Sequence, residues 1–213
     1  MNTETLIARK LLQINAIKLN PQNPFTWTSG MRSPIYCDNR VTLSHPEVRT
    51  AIKEAFAKQS VVFGEIDMIA GVATAGIPHG ALLADKLGLP FCYVRSSPKE
   101  HGRQNQIEGE LRPGSRVLVI EDLISTGGSS VEVVGVLRRE GHIVAGVMAI
   151  FDYGFAKASE NFMNIDCKVI SLSNYKTLIR EAGVISYITE EEQKVLESWN
   201  NDPQNWYSKH FGN

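Results

Sequence analysis

Five short apolar runs, Met68 to Val72, Phe91 to Val94, Val117 to Ile120, Ile143 to Phe151 and Cys167 to Leu172, punctuate the sequence from its first third onward. Each is strand length, and each is apolar at odd and even positions alike. Side chains alternate across a strand, so such a run must be covered on both faces. Segments with helical spacing stand between the runs, among them one ending near Leu87 and one carrying Val131, Val134 and Leu137. Strands alternating with helices imply an α/β fold, a parallel-sheet core flanked by helices on both sides.

Punctuation residues set the remaining boundaries. Thr3 to about Ile17 reads as an amphipathic helix with Thr3 as its cap. Ser44-His45-Pro46-Glu47 and Thr189 with Glu192 match capping boxes that open further helices. Gly141, preceded by Arg138 and Arg139, fits a helix stop with cations at the negative end of the dipole. Phe25 to Arg40 is irregular and suits short strands and a loop, while Arg95 to Glu110 is charged with no usable period. With no repeat and no linker, residues 1–213 are expected to form one domain.

Bulk properties exclude several classes. A formal net charge of -1 gives no electrostatic case for nucleic acid or a membrane surface. No apolar run approaches the ~20 residues of a membrane span, and Met1 to Leu12 lacks the apolar core of a signal peptide. Cys37, Cys92 and Cys167 are too few and too scattered for a disulfide framework or a metal site. A soluble, cytoplasmic protein with reduced thiols is expected.

The chemistry concentrates in Val117-Leu118-Val119-Ile120-Glu121-Asp122-Leu123-Ile124-Ser125-Thr126-Gly127-Gly128-Ser129. A buried strand ends in two carboxylates, then a glycine turn leads into a helix. Ligands of parallel α/β sheets sit beyond the carboxyl ends of strands. A Gly-Gly turn lets backbone N–H groups converge there, and the helix start adds a positive dipole end. Thr126 and Ser129 bring hydroxyl donors, so the loop suits a phosphate monoester. Glu121 and Asp122 would repel that phosphate unless a sugar diol or a hydrated Mg²⁺ intervenes. The pattern points to a phosphorylated sugar held with a divalent ion. Gly71 to Gly76 has the glycine spacing of a Walker loop, but Ile77 and Pro78 replace its Lys and hydroxyl residue; the dinucleotide fingerprint is absent.

The Val117–Ser129 segment resembles the phosphoribosyl pyrophosphate loop of type I phosphoribosyltransferases. Three further segments resemble the orotate phosphoribosyltransferases within that family. Phe25 to Arg40, containing Trp27-Thr28-Ser29-Gly30, is similar to their N-terminal hood over the base. Gly71-Val72-Ala73-Thr74-Ala75-Gly76-Ile77-Pro78 is similar to their pyrophosphate loop. Tyr93 to Arg103 is similar to a catalytic loop that reaches the partner subunit of a dimer. Two positions depart from some members, which carry Lys where Thr28 and Ser96 stand here.

The resemblance implies a type I phosphoribosyltransferase fold with a small hood subdomain around 25–40. It also implies transfer of the 5-phosphoribosyl group to orotate, giving orotidine 5'-monophosphate and pyrophosphate in UMP synthesis. Lys99, His101 and Asp122 are the implied catalytic residues. The pyrophosphate substrate would meet Arg95, Lys99 and His101, the Thr74-Ala75-Gly76 loop, and Glu121, Asp122, Leu123, Ile124, Ser125, Thr126, Gly127, Gly128 and Ser129. Orotate would meet Ser29, Gly30 and Ser125. Mg²⁺ would sit near Glu121 and Asp122 through substrate or water, with no direct protein ligand assigned. A homodimer is implied, with Arg95, Lys99 and His101 reaching the partner's site. Two other readings share the phosphate loop: a purine phosphoribosyltransferase, and a non-enzymatic phosphoribosyl pyrophosphate sensor.

Overall fold

The computed structural model describes residues 1–96 and 106–212. Helix α1 (Thr3–Gln13) buries Ile7, Leu11 and Leu12 on one face, as its spacing requires. Its cap is Asn2 rather than the expected Thr3: the Asn2 side chain accepts from the Thr5 N–H. The irregular stretch that follows holds four short strands, β1 (Ile17–Leu19), β2 (Phe25–Thr26), β3 (Arg32–Ser33) and β4 (Ile35–Cys37). β1 pairs antiparallel with β4, and β2 with β3.

A 3-10 turn over Asn39–Ser44 leads into α2 (Pro46–Ser60). The capping box expected at Ser44 does not form; His45 is the cap residue, without a side-chain bond. Pro46 occupies the first turn, where its missing N–H costs nothing, so one donor less awaits an acceptor.

The remaining elements follow the alternation of apolar runs: β5 (Met68–Val72), α3 (Gly76–Leu87), β6 (Phe91–Val94), β7 (Ile107–Glu108), β8 (Arg116–Ile124), α4 (Gly128–Arg139), β9 (Ile143–Asp152), α5 (Ala156–Asn164), β10 (Val169–Asn174), α6 (Tyr175–Val184), α7 (Glu190–Asn201) and α8 (Trp206–Phe211). The capping box at Thr189 and Glu192 forms in full. Gly141 follows α4 with φ +83, a left-handed stop that suits glycine. None of the described helices is long and apolar enough to cross a membrane.

One six-stranded sheet runs in the order β10-β9-β8-β5-β6-β7. It is parallel except at its edge, where β7 pairs antiparallel with β6. The sheet is therefore mixed, not purely parallel. β7 falls in the charged stretch with no period, and at two residues it is too short to leave one.

Both faces are covered. Leu118, Ile120, Met148, Ile150 and Leu172 pack with α1, α2, α3 and α6 on one side. Val117, Val119, Val147 and Ala149 pack with Val133, Val134 and Leu137 of α4 and Phe162 of α5 on the other. This odd–even division is what continuous apolar runs demand.

The strand order reverses between β5 and β8. From β5 the chain steps outward through α3 to β6; from β8 it steps the opposite way to β9 and β10. The loops after β5 and β8 therefore diverge and leave a crevice, the usual ligand position in an open α/β sheet. Gly76 shows how tightly the two loops meet: a Cβ there would collide with the Ile120 carbonyl and lie 3.3 Å from Glu121 Cα. Gly128, by contrast, faces only Thr126 Oγ1 at 3.8 Å.

Gly76→Ala is expected to cost about 1–3 kcal/mol, because backbone must move to admit the methyl group. Gly128→Ala is expected to stay within about 0.5 kcal/mol of the parent or to gain slightly. Urea midpoints of the two variants at a common slope check the contrast; equal losses would contradict the packing described.

Candidate active site

β8 runs further than its apolar core. It continues through Glu121 and Asp122 to Ile124, and Glu121 pairs in register with Ala149 of β9. The two acids thus sit within β8, past the end of its pairing with β5 at Ile120 but still alongside β9. Glu121 is only 6% exposed. Its carboxylate accepts from the Asp122 N–H at 3.0 Å and from Ser130 Oγ at 3.2 Å.

Burial raises the affinity of both carboxyls for protons, and for Glu121 the neighbouring Asp122 charge adds to it. Glu121 is pushed up to about 8. The Asp122 N–H and the Ser130 hydroxyl, both donating to Glu121, offset part of that rise.

Beneath the pair lies a buried polar chain. Asn39 Nδ2 donates to the Asp122 carbonyl at 2.7 Å. Thr42 Oγ1 donates to the Asn39 carbonyl at 2.6 Å and lies 3.3 Å from His79 Nε2. Since the hydroxyl hydrogen is committed to Asn39, the His79 ring donates to it from Nε2. Burial, then the Arg49 charge, lowers His79 to about 4, so this ring is neutral at ordinary pH. The chain ties helix α3 and the 3-10 turn to the acidic strand.

Past Ile124 the chain turns through Ser125 and Thr126 into α4. Gly127 takes φ +76, and its Cα lies so close to Phe162 that a Cβ would approach the ring at 2.8 Å. Asn161 Nδ2 donates to the Thr126 carbonyl at 2.9 Å, pinning the turn from α5. Glu121, Leu123, Ser125, Thr126, Gly127, Gly128, Ser129 and Ser130 line a cavity of about 200 Å³. Ile124, named with them on sequence grounds, is buried in the α4-side core and contributes no side chain to it.

A second cavity of about 680 Å³ adjoins the first. The hood supplies Trp27, Thr28, Ser29, Met31, Tyr36 and Cys37 to its wall. Leu123, Ser125 and Thr126 line both cavities, and Tyr153 closes the second from the end of β9. Ser29 is in this wall; Gly30 is not, since it turns the β2–β3 hairpin at φ +84 and faces α8 instead.

Thr74, Ala75 and Gly76 stand at the start of α3, beside β8, and the Ala73–Thr74 peptide is cis. Arg95 follows β6, with its guanidinium 3.6 Å from Glu108. Lys99 and His101 lie outside the described residues. No cluster of three metal-ligating side chains occurs among the described residues.

Sequence reasoning did not single out Tyr153 and Asn39. Tyr153 left a usable signal, since it follows a buried strand at its carboxyl end. Asn39 left none beyond membership of the hood segment, because its role depends on a fold contact with a residue far along the chain.

The phosphoribosyl transferase domain matches residues 42–179. Among similar proteins, the orotate phosphoribosyltransferase of Phocaeicola vulgatus is 53% identical over 204 residues, covering 95% of this chain and 96% of that protein. That of Streptococcus sanguinis is 51% identical over 201 residues, covering 94% and 96%. The chain belongs to the orotate phosphoribosyltransferase family. The crystal structure of the Aeropyrum pernix orotate phosphoribosyltransferase agrees, at TM-score 0.75 and 30% identity over 84% of this chain and 98% of that one. The family fold accounts for the crevice between β5 and β8 and for the loop after β8.

The raised Glu121 affinity has a consequence for stability. Its folded value exceeds its unfolded one, so the folded chain binds the extra proton between about 4.5 and about 8. The associated stability is complete below about 4.5 and is lost as pH rises through about 8. Glu121→Gln keeps an acceptor for the Asp122 N–H and removes this titration. The variant's melting temperature is expected to gain on the parent's from pH 6 to about pH 8 and to level off above that. Parallel melting curves across that range would show that Glu121 carries no such proton.

Proposed function

We propose that the protein transfers the 5-phosphoribosyl group of phosphoribosyl pyrophosphate to orotate, releasing pyrophosphate and forming orotidine 5'-monophosphate. One observation carries this reading: Leu123, Ser125 and Thr126 line both the small glycine-rich cavity and the larger aromatic one. A nucleoside monophosphate needs those two environments side by side, a cradle for its phosphate and a flat apolar slot for its base. The names of relatives above half identity point to orotate as that base.

The protein's part is placement and charge. The turn from Ser125 to Ser129 offers backbone N–H groups and hydroxyls to the 5'-phosphate. The acidic pair next to it suits the ribose hydroxyls, which donate where a phosphate cannot. Trp27 and Tyr153 offer ring surface to the base, and Ser29 and Ser125 offer hydroxyls to its polar edge. Thr74, Ala75 and Gly76 present backbone near the departing pyrophosphate, with Arg95 and the loop residues Lys99 and His101 as its cationic partners.

The donor set fits Mg²⁺ held largely by substrate oxygens. Glu121 and Asp122 are hard oxygen donors, and the described residues build no all-protein cage. When bound, the ion supplies charge neutralisation at the pyrophosphate. Lys where Thr28 and Ser96 stand would add cations at this site, so the balance here rests on Arg95, Lys99 and His101. The reading includes one catalytic domain over residues 1–213, a cytoplasmic setting, and a homodimer in which Arg95, Lys99 and His101 serve the partner's site.

Orotate's near-ultraviolet absorbance should fall only when protein, phosphoribosyl pyrophosphate and Mg²⁺ are together. Lys99→Ala should lower kcat by roughly 10²-fold or more, the scale of removing one transition-state donor. Mixing Lys99→Ala with a phosphate-loop variant should restore part of the activity through hybrid dimers. Turnover of a purine base instead would overturn the base assignment. Tight phosphoribosyl pyrophosphate binding without turnover of any base would favour a sensor.

A further inference from the structure

Each strand of the β2–β3 hairpin is two residues long, and an isolated hairpin of that size is not stable in water. Yet this hairpin and its loop supply Thr26, Trp27, Thr28, Ser29 and Met31 to the base cavity. Something outside it must hold it in place. Within the hairpin's own neighbourhood, Trp27 Nε1 donates to the Ile35 carbonyl at 3.1 Å and Arg32 Nη2 to the Pro24 carbonyl at 3.3 Å.

Phe25 also lies 5.7 Å from the Tyr36 ring of β4, and Trp27 packs on Tyr153; further contacts come from the last two helices. Trp199 of α7 is fully buried, and its ring lies 5.9 Å from Trp27 and 5.9 Å from Tyr153, edge-on to both. Those two rings lie 5.3 Å apart, tilted at 46°, and are themselves walls of the base cavity. Phe155 stacks on Tyr153 at 5.4 Å and also meets Trp199, completing an aromatic bracket. Asn200 Nδ2, next along α7, donates to the Tyr153 carbonyl at 2.8 Å. At the hairpin's far side, the Arg32 guanidinium lies 4.5 Å over the Tyr207 ring of α8.

The Trp199 N–H has no acceptor, although it is buried. A buried donor left unpaired is unfavourable, so the ring is held here by packing and not by a hydrogen bond. α7 and α8 also lie beyond residues 42–179, the stretch matched by the phosphoribosyl transferase domain. Neither contributes a residue to the lining of the glycine-rich cavity.

We infer that α7 and α8 form a positioning platform for base recognition, in which Trp199 sets the spacing of Trp27 and Tyr153 and Tyr207 anchors the hairpin through Arg32. Their contribution is to affinity for the base, and phosphoribosyl pyrophosphate binding is independent of them. The inference rests on the base-binding reading of the larger cavity given above.

Steady-state kinetics of Trp199→Leu and Tyr207→Ala, with both substrates varied, test it. Tyr207 is only partly buried, so its variant keeps the test open if the Trp199 variant does not fold. Each is expected to raise KM for orotate about three- to tenfold, the scale of one lost aromatic or cation–π contact. KM for phosphoribosyl pyrophosphate and kcat should stay within about twofold of the parent, since neither ring touches the phosphate loop. A folded Tyr207→Ala protein with unchanged KM for orotate would overturn the platform. So would KM values for both substrates rising in step, the mark of a general structural loss. If the parent takes a purine and not orotate, the function reading fails, while the same comparison of base against phosphoribosyl pyrophosphate still decides the platform.

Discussion

β8 is hydrogen-bonded along both edges, to β5 from Val117 to Ile120 and to β9 from Arg116 to Ile124. That double pairing is the constraint on which the site depends. The β9 pairing continues past the doubly paired stretch; it carries Glu121 and Asp122 deep enough for burial to raise their proton affinity, and it delivers Leu123, Ser125 and Thr126 to the boundary of two cavities. A shorter β8 would leave the acids solvated and the turn after it free to move. The reversal of strand order between β5 and β8 then opens the crevice over these residues.

Around this strand, polar and apolar supports divide the work. Asn39, Thr42 and His79 brace it from below through hydrogen bonds that involve no formal charge. Phe162 and Asn161 of α5 fix the glycine turn, one by filling the space beside Gly127 and the other by bonding to Thr126. The aromatic rings of Trp27, Tyr153, Phe155 and Trp199 brace the opposite wall. The glycine-rich cavity is thus held by backbone geometry and the aromatic one by ring packing. This difference suits a charged group that needs directed donors and a flat group that needs surface.

Much of this is legible in the sequence, and the reasons are local. Runs such as Val117–Ile120 and Ile143–Phe151 announce buried strands because both faces must be covered. The glycine turn after the acidic pair marks a candidate site in the sequence, and in the fold it lines a cavity. What stays hidden depends on contacts between distant positions. β7 is too short to show a period, and Pro46 removes the need for a box at Ser44. Asn39 becomes a support only when the chain brings it under Asp122. Gly30 is absent from the wall that its neighbours Ser29 and Met31 both line, and which residues of a turn meet a cavity depends on the packing around it.

The central claim is that the glycine-rich cavity and the aromatic cavity are two halves of one nucleotide site joined by Leu123, Ser125 and Thr126. Competition titration calorimetry with orotidine 5'-monophosphate tests it most directly. One bound orotidine 5'-monophosphate per chain should exclude phosphoribosyl pyrophosphate and orotate alike, because it fills both halves. Simultaneous binding of orotidine 5'-monophosphate with either ligand would mean that the two cavities serve separate sites, and the account would be wrong.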